Sequence, residues 1–282
     1  MALCWAGFIL VFFTFSTTQE YYSMPCYPAL ALLLGSAMAA GGDWIRYGTR
    51  VLCGILIAAA AAVLALLFLS RTFPTPGDIS AALSSNPGAY KLSLGHMEDL
   101  TIASFAYLRI PLVVAAVAFL AGAAGTWRAI GQRAFLAIAL MAILFFQAAR
   151  IAMAAFDPYL SSRPLAEKLL HSPAGRLVVD HHYYTFSSIF FYTNRDALLL
   201  NGRFNNLVYG SYAPGAPNVF IDDAQWKTLW LQPDRCYLVI TDTAAERLKK
   251  LVAPDLLIVV AHSGGKLLLT NQELLANHAV VE

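Results

Sequence analysis

The stretch FFTFSTTQEYYSMPCYP, residues 12–28, is a short polar and aromatic break between two strongly apolar runs. Residues 1–13 before it and 29–40 after it are almost entirely apolar, and residues 14–24 contain no Lys or Arg. Apolar runs of this kind lie in the hydrocarbon layer of a membrane, and the polar atoms between them lie among the lipid headgroups. The stretch therefore predicts a loop at a membrane surface, a place suited to a lipid-linked substrate.

The composition of the whole chain indicates an integral membrane protein. Hydrophobic residues make up 59% of the 282 residues and charged residues 13%, and the mean hydropathy is +0.60, values far from those of soluble domains. Residues 1–156 hold 8 Lys and Arg and 5 Asp and Glu, whereas residues 157–282 hold 11 and 12. We therefore expect a membrane domain at 1–156 and a soluble domain at 157–282.

Apolar runs predict about five membrane helices, near residues 2–15, 26–41, 48–69, 105–125 and 134–156. A helix needs about 20 apolar residues to cross the hydrocarbon layer, and the first two runs are shorter than that. The first run lacks a basic region before it and a small-residue cleavage site after it, so we interpret it as a retained helix rather than a signal peptide.

The soluble part shows the mixed pattern of a small α/β domain. It should open at Asp157-Pro158, a pair that favours leaving a helix. Strands are predicted at 176–180, 236–241, 256–261 and 266–270, the last two joined as a hairpin through Ser263-Gly264-Gly265. Helices are predicted at 164–171, 185–192 and 243–252, and a long surface loop at 201–218.

Basic residues predict the orientation, because short loops that carry Lys and Arg stay on the cytoplasmic side. Arg46 and Arg50 lie between the second and third segments, and Arg128 and Arg133 lie between the fourth and fifth. Residues 14–24, residues 70–104 and everything after residue 156 are therefore predicted to lie on the outer, periplasmic face.

The stretch FFTFSTTQEYYSMPCYPALALLLG, residues 12–35, resembles the late periplasmic loop and following helix of bacterial membrane glycosyltransferases that use polyprenyl-phosphate-linked sugars. These are the aminoarabinose-transferase and protein-mannosyltransferase-like enzymes of the GT-C type. In that family a helix end rich in Phe and Ser leads through a polar loop to a Tyr and two Pro residues. The matching positions are Phe12, Phe13, Ser16, Tyr22, Pro25 and Pro28. Residues 175–203 are similar to the strand, helix and strand of that family's periplasmic C-terminal domain.

The resemblance implies a multi-pass protein of the bacterial inner membrane that transfers a sugar from a polyprenyl-phosphate carrier to a lipid, glycan or protein acceptor at the outer face. It implies that the hydroxyl of Tyr22 binds the carrier phosphate. We expect Tyr21, Glu20 and Arg109 to belong to the same substrate-binding site. The expected partners are the polyprenyl-phosphate-linked sugar and membrane lipid, and no cofactor, metal or nucleic acid is expected.

Two departures from the family pattern bear on activity. The family's loop commonly carries a Lys shortly before the Tyr, where this chain has Thr17, Thr18, Gln19 and Glu20. The family's catalytic carboxylates lie in its first periplasmic loop, near the N-terminus of a much longer chain, and have no counterpart here. We therefore expect a fragment, the C-terminal half of such an enzyme, with catalytic residues unknown. Such a fragment, either a truncated gene product or a separately encoded piece, should be inactive alone, and in the second case the expected partner is a separately encoded N-terminal half.

Simpler interpretations compete for each candidate residue. Glu20 fits a solvated acid, Tyr21 and Tyr22 are typical of an aromatic belt at headgroup level, and Arg109 fits a cation that extends from a helix end to the interface. For the whole chain, the alternative is a non-enzymatic, membrane-anchored periplasmic binding module. A transporter is disfavoured because the middle of segment 48–69 and residues 134–149 carry no ionisable residue that would mark a path.

Overall fold

The computed structural model describes residues 1–15, 20–83, 99–128, 132–181, 183–204 and 207–274. These residues form two compact units. The helical unit comprises residues 1–73 and 108–152, and the mixed unit comprises residues 74–83, 99–107 and the described part of 153–274. The sequence predicts a membrane domain up to residue 156 and a soluble domain after it. That division depends on which residues lie in a bilayer, so it stays a prediction.

The apolar helices are α1 Ala2–Thr14, α2 Tyr27–Ala40, α3 Asp43–Ser70, α4 Arg109–Arg128 and α5 Gln132–Leu160. They form the helical unit, except that the last part of α5, from residue 153, belongs to the mixed unit. A 3₁₀ helix at Glu20–Cys26 precedes α2. Within the described residues, four stretches are long and apolar enough to cross a membrane: Tyr21–Ala40, α3, α4 and α5. α1 has 13 residues, about 20 Å in length, which is less than the hydrocarbon thickness. The helical membrane architecture is confirmed, with four helices of membrane length where about five were predicted.

Small residues bring α4 close to its neighbours. A Cβ atom added at Gly125 would lie 2.2 Å from the Cβ of Ala137 on α5. On the side of α3, the thiol of Cys53 donates to the carbonyl oxygen of Ala123 at 3.4 Å. Lipid tails are as apolar as these side chains, so close backbone approach and van der Waals packing hold such helices together.

The mixed unit is built on a six-stranded sheet with the order β3-β2-β1-β4-β6-β5. Its strands are β1 Arg176–Asp180, β2 Ala197–Leu200, β3 Phe220–Ile221, β4 Cys236–Thr241, β5 Ile258–Ser263 and β6 Lys266–Thr270. The first four run parallel, and β6 is antiparallel to β4 and β5. The helices of this unit are α6 Arg163–Leu170, α7 Ser187–Thr193, α8 Leu207–Gly210, α9 Asp223–Trp230 and α10 Asp242–Leu248. The predicted α/β domain is confirmed.

Each face of the sheet carries its own hydrophobic core, because side chains alternate along a strand. Leu177 and Val179 of β1 pack in the core with α6 and α7, whereas Val178 packs in the core with α9 and α10. The second core contains Trp226 and Trp230, whose ring centroids are 5.2 Å apart. Strands buried on both faces are continuous apolar runs in the sequence, which is why β1 and β4 were predicted at their observed bounds.

The hairpin predicted at Ser263-Gly264-Gly265 is present between β5 and β6. Gly264 and Gly265 have φ angles of +64° and +71°, which suit a tight two-residue turn and which a glycine adopts without a Cβ clash. β5 begins at Ile258, two residues later than predicted.

Two local predictions were wrong. α5 continues through Pro158 to Leu160 instead of ending at Asp157-Pro158. Pro158 removes one backbone donor, but the helix continues, and the Ser161 N–H bonds the Asp157 carbonyl at 2.7 Å and closes the last turn. The loop predicted at 201–218 contains the short helix α8.

Candidate functional site

The two candidate tyrosines lie in the 3₁₀ helix between α1 and α2. The ring of Tyr22 stacks on Phe13 of α1, with centroids 4.8 Å apart, and Tyr21 meets the Tyr22 ring edge-on at 4.9 Å. Tyr22 is half-buried, whereas Tyr21 is 50% exposed. Pro25 lies in the same turn and Pro28 lies in the first turn of α2, where a fixed φ angle suits helix entry. The turn therefore holds both phenol rings beside the start of α2, in the first part of the apolar stretch Tyr21–Ala40.

Glu20 is the first residue of that 3₁₀ helix. Its side chain lies outside the described residues, as do Ser16 to Gln19. The role of Glu20 in a substrate site stays a prediction.

Arg109 begins α4 and binds the end of α3. Its Nη2 donates to the carbonyl oxygens of Ser70 at 2.5 Å and Phe73 at 2.8 Å. The last carbonyls of a helix lack intrahelical partners and carry partial negative charge, so a guanidinium there is favourable. The Nε of Arg109 is buried and has no acceptor within the described ranges. Arg109 thus has a structural role that the sequence did not predict, and it retains a donor without a partner in the described ranges.

The tyrosines and Arg109 have different neighbours in the helical unit. Tyr22 and Tyr21 pack against α1 and each other, and Arg109 binds the end of α3. A shared site for Tyr22 and Arg109 stays a prediction.

The mixed unit holds a charged cluster that the sequence did not reveal, at the carboxyl ends of its parallel strands. Arg247 of α10 donates to Asp180 at the end of β1 and to Asp223 after β3. Asn201, after β2, donates to the same Asp223 oxygen at 2.9 Å. Burial raises the pKa of Asp180, which is 4% exposed, and the charge of Arg247 opposes that rise. The cluster joins the ends of three strands, and its charges are paired internally.

A buried cation, Lys266, lies where the end of α5 meets the hairpin. The Nζ of Lys266 donates to the carbonyls of Tyr159 and Ser161 at 2.7 and 3.0 Å. Nearby, Asp78 accepts from the backbone N–H of Gly264 at 3.0 Å. Burial would raise the pKa of Asp78, but hydrogen bonds from Ser80 and Gly264 outweigh it and lower the pKa. These bonds fasten residues 78–80 and the end of α5 to the sheet.

An open cleft of about 610 Å³ lies at the amino ends of β1, β2 and β4, and its charged lining residues are Arg176, Arg195, Asp196, Asp234 and Arg235. The Nη1 of Arg195 is buried without an acceptor in the described part of the chain. Arg235 donates to the carbonyls of Gln272 and Glu273 at 3.1 and 3.0 Å.

No group of three or more His, Cys, Asp or Glu side chains within the described residues is placed to hold a metal ion.

No protein-family model and no curated protein matches the chain. Two solved structures do, both of ArnT from Cupriavidus metallidurans. The apo structure matches at 18% identity over 96% of this chain with a TM-score of 0.61. The structure bound to undecaprenyl phosphate matches at 19% identity over 98% of this chain with a TM-score of 0.62. This chain spans 46% of the length of each. The likeness concerns the fold, and the chain is similar in fold to ArnT.

Proposed function

We propose that this chain is part of a membrane glycosyltransferase of the GT-C type that takes a sugar from a polyprenyl-phosphate carrier. The observation that carries the proposal is the likeness of fold to ArnT, which extends over nearly the whole chain. One of the two similar ArnT structures is bound to undecaprenyl phosphate. The acceptor is a lipid, glycan or protein. The proposed location is the bacterial inner membrane with the mixed unit on the periplasmic side, which the distribution of Arg residues supports.

The proposed contact with the carrier is the turn that contains Tyr21 and Tyr22. A polyprenyl tail stays in the bilayer, so its phosphate lies at headgroup level, where a turn at the end of a membrane-crossing stretch is also expected. The stacking of Tyr22 on Phe13 restricts its ring, which lowers the entropy lost when its hydroxyl binds a phosphate oxygen. Hydrogen bonds to an ionised group are stronger than those between neutral groups.

Glu20 and Arg109 complete the proposed site. A carboxylate can orient or deprotonate an acceptor, and a guanidinium can stabilise a departing phosphate. Arg109 is supported by its buried Nε, which has no acceptor among the residues that the structure describes, and by its position at the first residue of α4. Transfer would also use the part of an ArnT-like fold that this chain does not span.

A non-enzymatic binding module is the alternative, and the cleft of the mixed unit favours it because three arginines line an open surface. The two proposals differ in where a carrier binds. A polyprenyl phosphate with a photoreactive group beside its phosphate should crosslink to the peptide containing residues 20–26. Crosslinking confined to the mixed unit would support the module and contradict the proposed carrier site.

A further inference from the structure

The cleft at the amino ends of β1, β2 and β4 gathers guanidinium groups that lack an ion partner. Arg176, Arg195 and Arg235 line it. Among the described residues, none of the three forms an ion pair with a carboxylate. A concave surface with an excess of one sign of charge concentrates ions of the opposite sign. The cleft therefore attracts an anion.

Arg195 has a donor that the fold does not satisfy. Its Nη1 is buried and has no acceptor within the described ranges, and a buried donor without a partner destabilises the folded state. The side chain as a whole is partly exposed and lines the cleft. A rotation of the guanidinium can therefore bring this N–H to an oxygen atom that enters the cleft.

Arg235 has a different role, because both of its terminal nitrogens are occupied. They donate to the carbonyl oxygens of Gln272 and Glu273. Neither Arg176 nor Arg195 donates a side-chain hydrogen bond to the part of the chain that the structure describes. Arg235 thus forms a fixed wall of the cleft, and the other two guanidinium groups remain for a ligand.

Backbone hydrogen bonds hold these two arginines in place. The N–H of Arg176 donates to the carbonyl of Arg235 at 2.9 Å, which joins the starts of β1 and β4. α7 is closed by Asn194, which has a left-handed φ angle of +48° and whose N–H donates to the carbonyl of Phe190 at 2.9 Å. The chain then turns through Arg195 into β2. A site whose side chains start from a fixed backbone loses less entropy on binding.

The cleft also carries two carboxylates, Asp196 and Asp234. An ionised carboxylate only accepts hydrogen bonds, so these groups suit hydroxyls. A guanidinium binds a phosphate or a carboxylate through two parallel hydrogen bonds. The volume of about 610 Å³ lies within the range of small-molecule sites, about 300–1,000 Å³. A ligand that complements both kinds of side chain has an anionic group and several hydroxyls.

We propose that this cleft binds a sugar that carries an anionic group, either a phosphate or a carboxylate. Arg195 and Arg176 bind the anionic group, and Asp196 and Asp234 accept hydrogen bonds from the sugar hydroxyls. The site lies within the mixed unit alone. It does not rest on the proposed carrier site in the helical unit, and it is compatible with either function proposed above.

Calorimetric titration of the full chain in nanodiscs of zwitterionic lipid tests the site. The probes are glucose 1-phosphate, glucuronate, inorganic phosphate and glucose, at about 0.15 M salt to screen nonspecific ionic contacts. At least one anionic sugar should bind with a Kd below about 1 mM, and the tighter of the two identifies the anionic group. Inorganic phosphate and glucose should bind at least about tenfold more weakly than that sugar. No saturable binding of either anionic sugar, or equal binding of inorganic phosphate, would overturn the proposal.

The matched variants are Arg195→Gln and Arg203→Gln, which remove the same charge at opposite ends of β2. Arg203 is exposed and follows the carboxyl end of that strand. Arg195→Gln should weaken binding of the anionic sugar at least about tenfold, and Arg203→Gln should leave the Kd unchanged. Equal weakening by both would show an effect of net charge only and contradict the site. If Arg195→Gln does not fold, Arg176→Gln at the exposed start of β1 gives the same comparison, and wild-type affinity there is equally decisive against the proposal.

Discussion

The Nζ of Lys266 in β6 donates to the carbonyl oxygen of Tyr159, in the last turn of α5, at 2.7 Å. A second bond reaches the carbonyl of Ser161 at 3.0 Å, and the residue is 3% exposed. Carbonyls at a helix end lack intrahelical partners and carry partial negative charge. A buried lysine therefore satisfies the end of α5 and joins it to the sheet.

This lysine should give the free energy of unfolding a dependence on pH. Burial lowers its pKa from 10.5 to about 8. Between about pH 8 and about pH 10.5 the unfolded chain holds this proton more fully than the folded chain, so stability rises with pH, by at most about 1.4 kcal/mol per pH unit. The neutral amine keeps enough N–H donors for both carbonyls.

Lys266→Met should remove this rise, which thermal unfolding in nanodiscs between pH 8 and about pH 10 measures. Lys249→Met is the matched control, because Lys249 is exposed and pairs with Glu246 at the surface. Other titrating groups are common to all three proteins, so differences from wild type isolate the lysine. A Lys266→Met protein with the wild-type pH slope would show that Lys266 does not titrate in this range.

Gly264→Ala should destabilise the mixed unit more than Gly77→Ala does. Both glycines have positive φ angles, +64° and +66°, so the strain from φ is common to both changes. A Cβ at Gly264 would lie 1.6 Å from the carbonyl oxygen of Pro158, whereas a Cβ at Gly77 meets nothing within 4 Å. The difference should exceed about 1 kcal/mol, measured by denaturant or thermal unfolding. Equal losses would mean that the hairpin does not pack on α5.

Arg247→Met should cost about 3 kcal/mol of unfolding free energy, because it leaves the buried carboxylate of Asp180 without its cation. Arg247→Lys should rescue little of this loss, since one ammonium cannot replace a guanidinium that binds Asp180 and Asp223 through separate nitrogens. Lys249→Ala, a change of an exposed lysine two residues after Arg247, should cost less than about 1 kcal/mol. An Arg247→Met protein with the unfolding free energy of the wild type would contradict a structural role for the contact between Arg247 and Asp180.

Gly125→Leu should disrupt the packing of α4 on α5, since even a Cβ there would lie 2.2 Å from the Cβ of Ala137. Gly54→Leu is the control, because a Cβ at Gly54 in α3 meets nothing within 4 Å. The melting temperature in detergent should fall for the first variant and change little for the second. Equal melting temperatures would argue against close contact of α4 and α5.

The elements that the sequence predicts correctly are those determined by a pattern of neighbouring residues. The continuous apolar runs of β1 and β4 and the paired glycines of the β5–β6 turn were located correctly. β3 has two residues, too few for a period to show. Asp180 and Arg247 are 67 positions apart, and no local pattern reports such a pair. Likewise, the sequence names Tyr21, Tyr22 and Arg109 as candidates, but the bonds from Arg109 to the end of α3 depend on packing between residues far apart in the chain.

Binding of undecaprenyl phosphate to the nanodisc-embedded chain tests the proposed carrier site most directly. The Kd is measured for wild type, Tyr22→Phe and the control Tyr47→Phe, whose side chain is 64% exposed at the start of α3. Saturable binding is expected in the wild type, weakened at least about tenfold by Tyr22→Phe, as a lost hydrogen bond to a charged group predicts. Tyr47→Phe should leave the Kd unchanged. Wild-type affinity in Tyr22→Phe, or no saturable binding in the wild type, would contradict the account.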